Sequence, residues 1–164
     1  MNEHPSSAVP VVRQRIEALL QSHDIDYTLI HHRAVKTSQE AAEVRGTPLE
    51  MAAKALVMKI GTGGFGIFAF RADMRSHGRT IRKHLRVSRL RFATQEELLE
   101  FTGLRPGCVP PIGRPIFDLP LYLDTSLSQQ ETLVFTAGDH TCSLKLKAAD
   151  WFRLCSPDSI FSFC

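Results

Sequence analysis

The chain has 164 residues, 43% of them hydrophobic and 23% charged, with a formal net charge of +3. That balance is ordinary for a folded globular chain and argues against disorder. The length fits one domain, residues 1–164, that buries about 70% of its unfolded surface without disulfide or metal staples. No apolar run approaches the ~18 residues of a membrane span. Met1 to Pro10 holds Glu3 and two prolines and lacks the apolar centre of a secretory signal, so the expected compartment is the cytoplasm.

Val12, Ile16, Leu19 and Leu20 recur at helical spacing and predict an amphipathic helix over residues 11–22. Tyr27 to His31 alternates as a short strand. Thr37-Ser38-Gln39-Glu40 has the form of a capping box, and Gly46 is a natural helix stop. Thr47-Pro48-Leu49-Glu50 repeats the pattern and predicts a short helical turn. Residues 54–60 and 65–70 are apolar runs separated by Gly61-Thr62-Gly63-Gly64, a hairpin signal. The second run is apolar on both faces, so it should be central and buried. A helix is expected over residues 80–85. Thr94-Gln95-Glu96-Glu97 opens another, which runs to Phe101 and stops at Gly103. After a Gly- and Pro-rich loop, residues 121–124, 132–136 and 142–146 read as strands and 148–154 as a closing helix. Several strand pairs lie too close for crossover helices, which predicts an α+β fold with a mixed sheet.

Charge is concentrated. Arg71, Arg75, Arg79, Arg82, Lys83, Arg86, Arg89 and Arg91 fall in one segment opposed only by Asp73, a local charge of +7 that leaves −4 for the rest. Such a segment is expected to meet RNA or phosphate; the alternative is a solvated helix face. The four cysteines, Cys108, Cys142, Cys155 and Cys164, form no C-x-x-C pair and have no histidine at ligand spacing. Neither a disulfide framework nor a metal site is expected, and no cofactor fingerprint is present.

Two places could carry chemistry. Strand alternation puts Lys54 on one face with Leu56, Met58 and Ile60, where it could reach over an apolar pocket or simply snorkel to solvent. Gly103 to Gly113 holds three glycines and three prolines in eleven residues. A loop so poor in side chains can offer backbone N–H groups to a carbonyl oxygen or phosphate.

His32 followed by Thr37-Ser38-Gln39-Glu40-Ala41-Ala42, the run Ala53-Lys54-Ala55-Leu56-Val57, the Gly-Pro loop, Asp73, residues 121–124 and the Ala137-Gly138 turn together resemble the YbaK/prolyl-tRNA-synthetase editing-domain family. The resemblance covers residues 27–154. It implies a compact, curved or barrel-like sheet flanked by helices. It also implies a deacylase that hydrolyses the ester of mischarged aminoacyl-tRNA, on tRNA-Pro or a related tRNA carrying a small wrong amino acid. The family's lysine maps onto Lys54 and its G-x-x-x-P loop onto Gly107-Cys108-Val109-Pro110-Pro111, which places Gly107, Cys108 and Pro111 at the ester carbonyl. His32, Thr37, Ile112, Gly113, Gly138 and His140 are the implied substrate-binding residues. Arg79, Arg82, Lys83 and Arg86 are expected to hold tRNA. The implied partners are the aminoacylated 3′ end and an aminoacyl-tRNA synthetase. The residues alone leave two other readings open: a non-catalytic module that binds tRNA or an aminoacyl group, and an interaction domain for an acidic protein.

Overall fold

The computed structural model describes residues 10–164; of the N-terminal segment from Met1 to Pro10, only Pro10 lies among them. Helix α1 (Val11–Ser22) is followed by β1 (Tyr27–His31) and α2 (Ser38–Arg45). A 3-10 turn, Leu49–Met51, leads into the hairpin of β2 (Ala53–Ile60) and β3 (Phe65–Arg71). Then come α3 (Gly78–Leu85), β4 (Leu90–Phe92) and α4 (Gln95–Thr102). Beyond the Gly-Pro loop lie β5 (Leu121–Asp124), β6 (Thr132–Asp139), β7 (Cys142–Lys147), α5 (Ala148–Cys155) and β8 (Ser159–Phe161).

The helix ends follow their local chemistry. The Thr37 hydroxyl accepts from the Glu40 N–H at the start of α2, and Gly46 ends it in the left-handed region. Glu40 reaches back to the Lys36 N–H, one residue before the cap. At α4 the box is reciprocal, with Thr94 and Glu97 each accepting the other's N–H.

The strands form two sheets. One has the order β1-β7-β6 and is antiparallel; the other has the order β4-β2-β3-β5-β8 and is mixed. A parallel bridge from Ala52 to Val134 ties the sheets together. The mixed α+β architecture expected from the sequence is therefore present, its curved sheet divided in two.

Strand β3 is buried on both faces, as its composition predicts. Ile67 and Ala69 enter the main core with α1, β5, β6, β7 and Trp151. Phe68 and Phe70 enter a second core with Met58, Ile81, Phe161 and Phe163, under α3. The sequence signalled neither β4 nor β8. Both are three-residue edge strands that take their form from neighbours: β4 pairs with β2, and β8 runs parallel to β5. No helix among the described residues is long and apolar enough to cross a membrane.

The segment after β8 is anchored by Asp124. This carboxylate is buried and accepts from the N–H groups of Ser126, Phe163 and Cys164. Burial alone would raise its pKa, but these donors hold it below the ordinary carboxylate range. The folded value is thus below the unfolded one. The stabilisation is complete above the ordinary carboxylate pKa of about 4 and disappears as pH falls through the depressed value. Asp124→Asn should cost about 1.5–3 kcal/mol at pH 7 in urea unfolding. The gap to the wild type should narrow as the pH is lowered below about 4; a gap that stays constant would show that the charge contributes nothing.

Candidate active site

A cavity of about 140 Å³ opens where the start of β2 passes α2 and the β6–β7 hairpin. Ala41, Ala52, Ala53, Ala55 and Ala72 form much of its wall, and their small side chains leave the space. Thr37, Lys54, Gly107 and His140, all expected site residues, line it together. Lys36, Arg45 and Lys54 bring three cations to the wall, and no Asp or Glu among the described residues lines it. A larger cavity of about 890 Å³ runs past the start of α4 and shares Lys36, Gly107 and His140 with the first. Gly107 and His140 therefore stand between the two spaces.

Lys54 keeps the predicted parity, since Leu56, Met58 and Ile60 join the second core. Its Nζ lies 4.9 Å from the ring centroid of Phe70, its partner across the β2–β3 ladder. Burial pushes the Lys54 ammonium below its ordinary pKa, and Arg75 adds to this, while Cys164 and Asp73 pull the other way. Arg75 belongs to the basic segment, whose Ala72 lines the cavity. Within that segment Arg71 pairs with Asp73 and Arg91 with Glu97. Arg79, Lys83 and Arg86 are exposed and Arg82 half-buried. None of these four makes an ion pair among the described residues.

The Gly-Pro loop divides by role. Gly107 and Val109 face the cavity, and their N–H groups have no acceptor among the described residues. The Cys108 N–H is instead committed to the Arg105 carbonyl. The Cys108 side chain is buried outside the cavity wall, and burial foremost, with Asp139, pushes its thiol up to about 11. Pro111 offers its carbonyl inward to Trp151 Nε1 at 3.0 Å and to Cys155 Sγ at 3.6 Å. Ile112 is core. Gly113 packs so closely that a Cβ would lie 2.9 Å from the Leu119 carbonyl.

A bulge between Thr136 and Asp139 shapes the hairpin. Gly138 lies in it with φ +89°, against Val12 of α1 and away from the cavity. The next turn is held by Asp139, which accepts from the Thr141 N–H at 2.6 Å, and it carries His140 over Gly107.

His32 does not line the cavity. It lies behind the wall, where Nε2 meets Ser143 Oγ at 2.8 Å and Nδ1 meets the Arg33 carbonyl at 2.8 Å. The same Ser143 Oγ accepts from Arg45 Nε at 2.7 Å, and Thr136 Oγ1 accepts from Arg45 Nη2 at 3.3 Å. Thr136 and Ser143 are directly opposed in the β6–β7 ladder, so both hydroxyls face one guanidinium. Sequence reasoning missed Arg45. It ends a capped helix just before a glycine stop, and only the tertiary fold turns it toward the cavity.

Among the described residues no group of three His, Cys, Asp or Glu is placed to hold a metal ion. A family model described as an aminoacyl-tRNA editing domain matches residues 32–154. The chain is 32% identical over 155 residues to the multifunctional Ser/Thr-tRNA deacylase ProXp-y of Escherichia coli K12, covering 92% of each. It is 35% identical over 86 residues to the proline–tRNA ligase of Trichlorobacter lovleyi, 52% of this chain and 15% of that protein. The fold superposes with TM-score 0.78 and 23% identity on a candidate trans-editing enzyme for prolyl tRNA synthetase, over 93% of this chain and 96% of that one.

Gly107 has φ +84°, and a Cβ there would sit 3.2 Å from His140 Cε1. Gly107→Ala should therefore lower the unfolding free energy by about 1–2 kcal/mol, most of it from the left-handed backbone. An unfolding curve that overlays the wild type would show that the loop escapes to negative φ.

Proposed function

The chain belongs to the aminoacyl-tRNA editing domain family, and on that premise we propose that this cavity removes a small, wrongly attached amino acid from tRNA-Pro or a related tRNA. Family membership makes the chain an aminoacyl-tRNA deacylase: water adds to the ester carbonyl, the bond to the terminal ribose oxygen breaks, and that oxygen takes up a proton. Serine and threonine, which the name of the Escherichia coli relative gives as its substrates, are the first amino acids to test.

The observation that carries the reading is Lys54 in the wall of an alanine-rich cavity that Gly107 and His140 also line and that no Asp or Glu lines among the described residues. Lys54 grips the sugar-phosphate end of the substrate, and the alanine wall sizes its side chain. The free N–H groups of Gly107 and Val109 are the donors for the developing oxyanion. The larger cavity beyond Gly107 and His140 takes the terminal nucleoside. Arg75, Arg79, Arg82, Lys83 and Arg86 continue the positive surface for the rest of the acceptor end. Residues 1–164 act as a single editing domain in the cytoplasm, where charged tRNA is made, and a synthetase is the protein partner to test, a reading supported by the match to proline–tRNA ligases.

Among the described residues no carboxylate lines the smaller cavity, Asp139 is taken up in its turn, and His32 is tied to Ser143. His140 is the one imidazole in the wall among the described residues. The vicinal hydroxyl of the terminal ribose, held beside the ester, supplies the rest by placing the water that adds to the carbonyl.

Deacylation of tRNA-Pro charged with Ser, Thr, Ala, Cys and Pro tests the reading. At least one small non-cognate ester should be cleaved faster than Pro; protein that binds every substrate and cleaves none would make the chain a binding module. Lys54→Ala should slow the sensitive ester by about 100-fold, the cost of losing substrate position, while leaving the melting temperature close to wild type. A lysine that only snorkels would tolerate the change. Charge reversal at Arg79 and Lys83 should weaken tRNA binding. It should also flatten the log–log salt slope by about 0.7–0.9 for each phosphate no longer neutralised, and an unchanged slope would place the basic face elsewhere in the function.

A further inference from the structure

The least expected group in the cavity wall is the Arg45 guanidinium. It is half-buried, and no carboxylate lies within ion-pairing distance among the described residues. Burial pushes its pKa down to about 10. A cation in this position is costly unless something compensates it. Two of its five N–H donors are used, one on Ser143 and one on Thr136. The other three have no protein acceptor among the described residues, although the side chain lines the cavity.

The guanidinium is also held in one orientation. His32 Nδ1 faces a carbonyl, which can only accept, so in the neutral ring Nδ1 carries the proton and Nε2 accepts. Ser143 then donates to His32 Nε2 and uses its lone pair for Arg45 Nε. The order Arg45 to Ser143 to His32 to the Arg33 carbonyl satisfies each group once and fixes the plane of the guanidinium. Thr136 Oγ1 fixes the other edge and is itself part of the cavity wall. Three other segments are tied to this one side chain, β6 and β7 directly and residues 32–33 through Ser143, more than a surface arginine at a helix end needs.

We propose that Arg45 is a specificity-determining residue of the deacylase, one that reads a hydroxyl on the side chain of the bound amino acid. The assignment rests on the deacylase reading above. A substrate hydroxyl would accept from a free guanidinium N–H and donate to Thr136 Oγ1, satisfying both groups. A methyl in the same place would leave the donors of a half-buried cation unpaired, and that penalty makes a polar site reject an apolar isostere. The hydroxyl is favoured over a carboxylate because the partners already gathered around Arg45 are hydroxyls and the wall beside it is alanine. Ser143 and His32 are positioning residues that act through Arg45.

The test compares Ser- and Ala-charged forms of one tRNA, with an Asp-charged form as a third arm. Wild type should cleave the Ser ester faster than the Ala ester by about 10–150-fold, the factor that a hydrogen bond from a charged donor represents. Arg45→Met should bring that ratio close to one, mainly by slowing the Ser ester. Thr136→Val, which keeps the shape of the wall, should reduce the ratio part way and guards against a folding failure of the first variant. Equal losses on Ser and Ala, with the ratio kept, would make Arg45 structural and overturn the proposal. So would faster cleavage of the Asp ester than of the Ser ester by wild type. The same ratio read as Kd, with 3′-seryl and 3′-alanyl amides of 3′-aminoadenosine, separates the two claims. A Ser preference that Arg45→Met abolishes in binding, without turnover by wild type, would keep the assignment and remove the deacylase. Equal Kd values for the two amides would overturn the assignment whether or not the esters are cleaved.

Discussion

The site depends on the contact between Ala52 and Val134. These residues form a single parallel bridge between the two sheets, over a small core completed by Ala72. Side chains on a strand return to the same face every second residue. Two positions beyond the bridge stand Lys54 on β2 and Thr136 on β6, and both line the cavity. No further ladder forms between these strands, so they part, and the space between them is the cavity. A larger residue at position 52 or 72 would push the sheets apart where they must touch. The alanines are thus the condition for the sheets to meet, and the gap they leave is the cavity proposed as the binding space.

The electrostatics follow from the same junction. Lys36, Arg45 and Lys54 converge with no Asp or Glu among the described residues of the wall, and burial lowers the pKa of Lys54 although Cys164 and Asp73 act against it. A self-contained protein would gain by placing an acid here. Its absence fits a ligand that brings negative charge and acceptor oxygens of its own, as the 3′ end of a tRNA does. In a partly dry cavity such contacts are stronger than on an open surface. The basic helix α3, with its unpaired arginines, extends the attraction to a range where salt screens it.

Much of this was legible in the sequence. Capping residues and glycine stops located α2 and α4, and hydrophobic runs separated by Gly61-Thr62-Gly63-Gly64 gave the β2–β3 hairpin. Strand parity placed Lys54 on the correct face. The illegible parts have a common physical cause, since their form is set by distant partners. Edge strands β4 and β8 have no periodicity of their own. The tail after Ser156 is held by Asp124, more than thirty residues earlier. Arg45 depends on Ser143, 98 residues away. Pro111 and Gly113 could be read as presenting backbone to a ligand. Whether a loop residue faces ligand or core depends on what packs behind it, and here Trp151 and Leu121 do.

The cavity also constrains the chemistry. The thiol in the loop is a poor nucleophile, because burial keeps it protonated and it lies outside the wall. Among the described residues no carboxylate lines the smaller cavity. Position and polarisation then have to account for the rate, and they are large enough. A hydroxyl held at near-attack distance can remove about 7–11 kcal/mol of barrier. One well-placed oxyanion donor is worth about 2.7–4 kcal/mol. On the proposed reading the terminal ribose hydroxyl beside the ester helps to place the attacking water, and the protein supplies the frame. That division suits an editing enzyme. A strong nucleophile or base in the wall would act on any ester that entered. On the proposed reading, a catalyst that works mainly by position acts on the ester that the alanine wall, Lys54 and Arg45 would hold in register, and the residues that select the substrate would also set its rate.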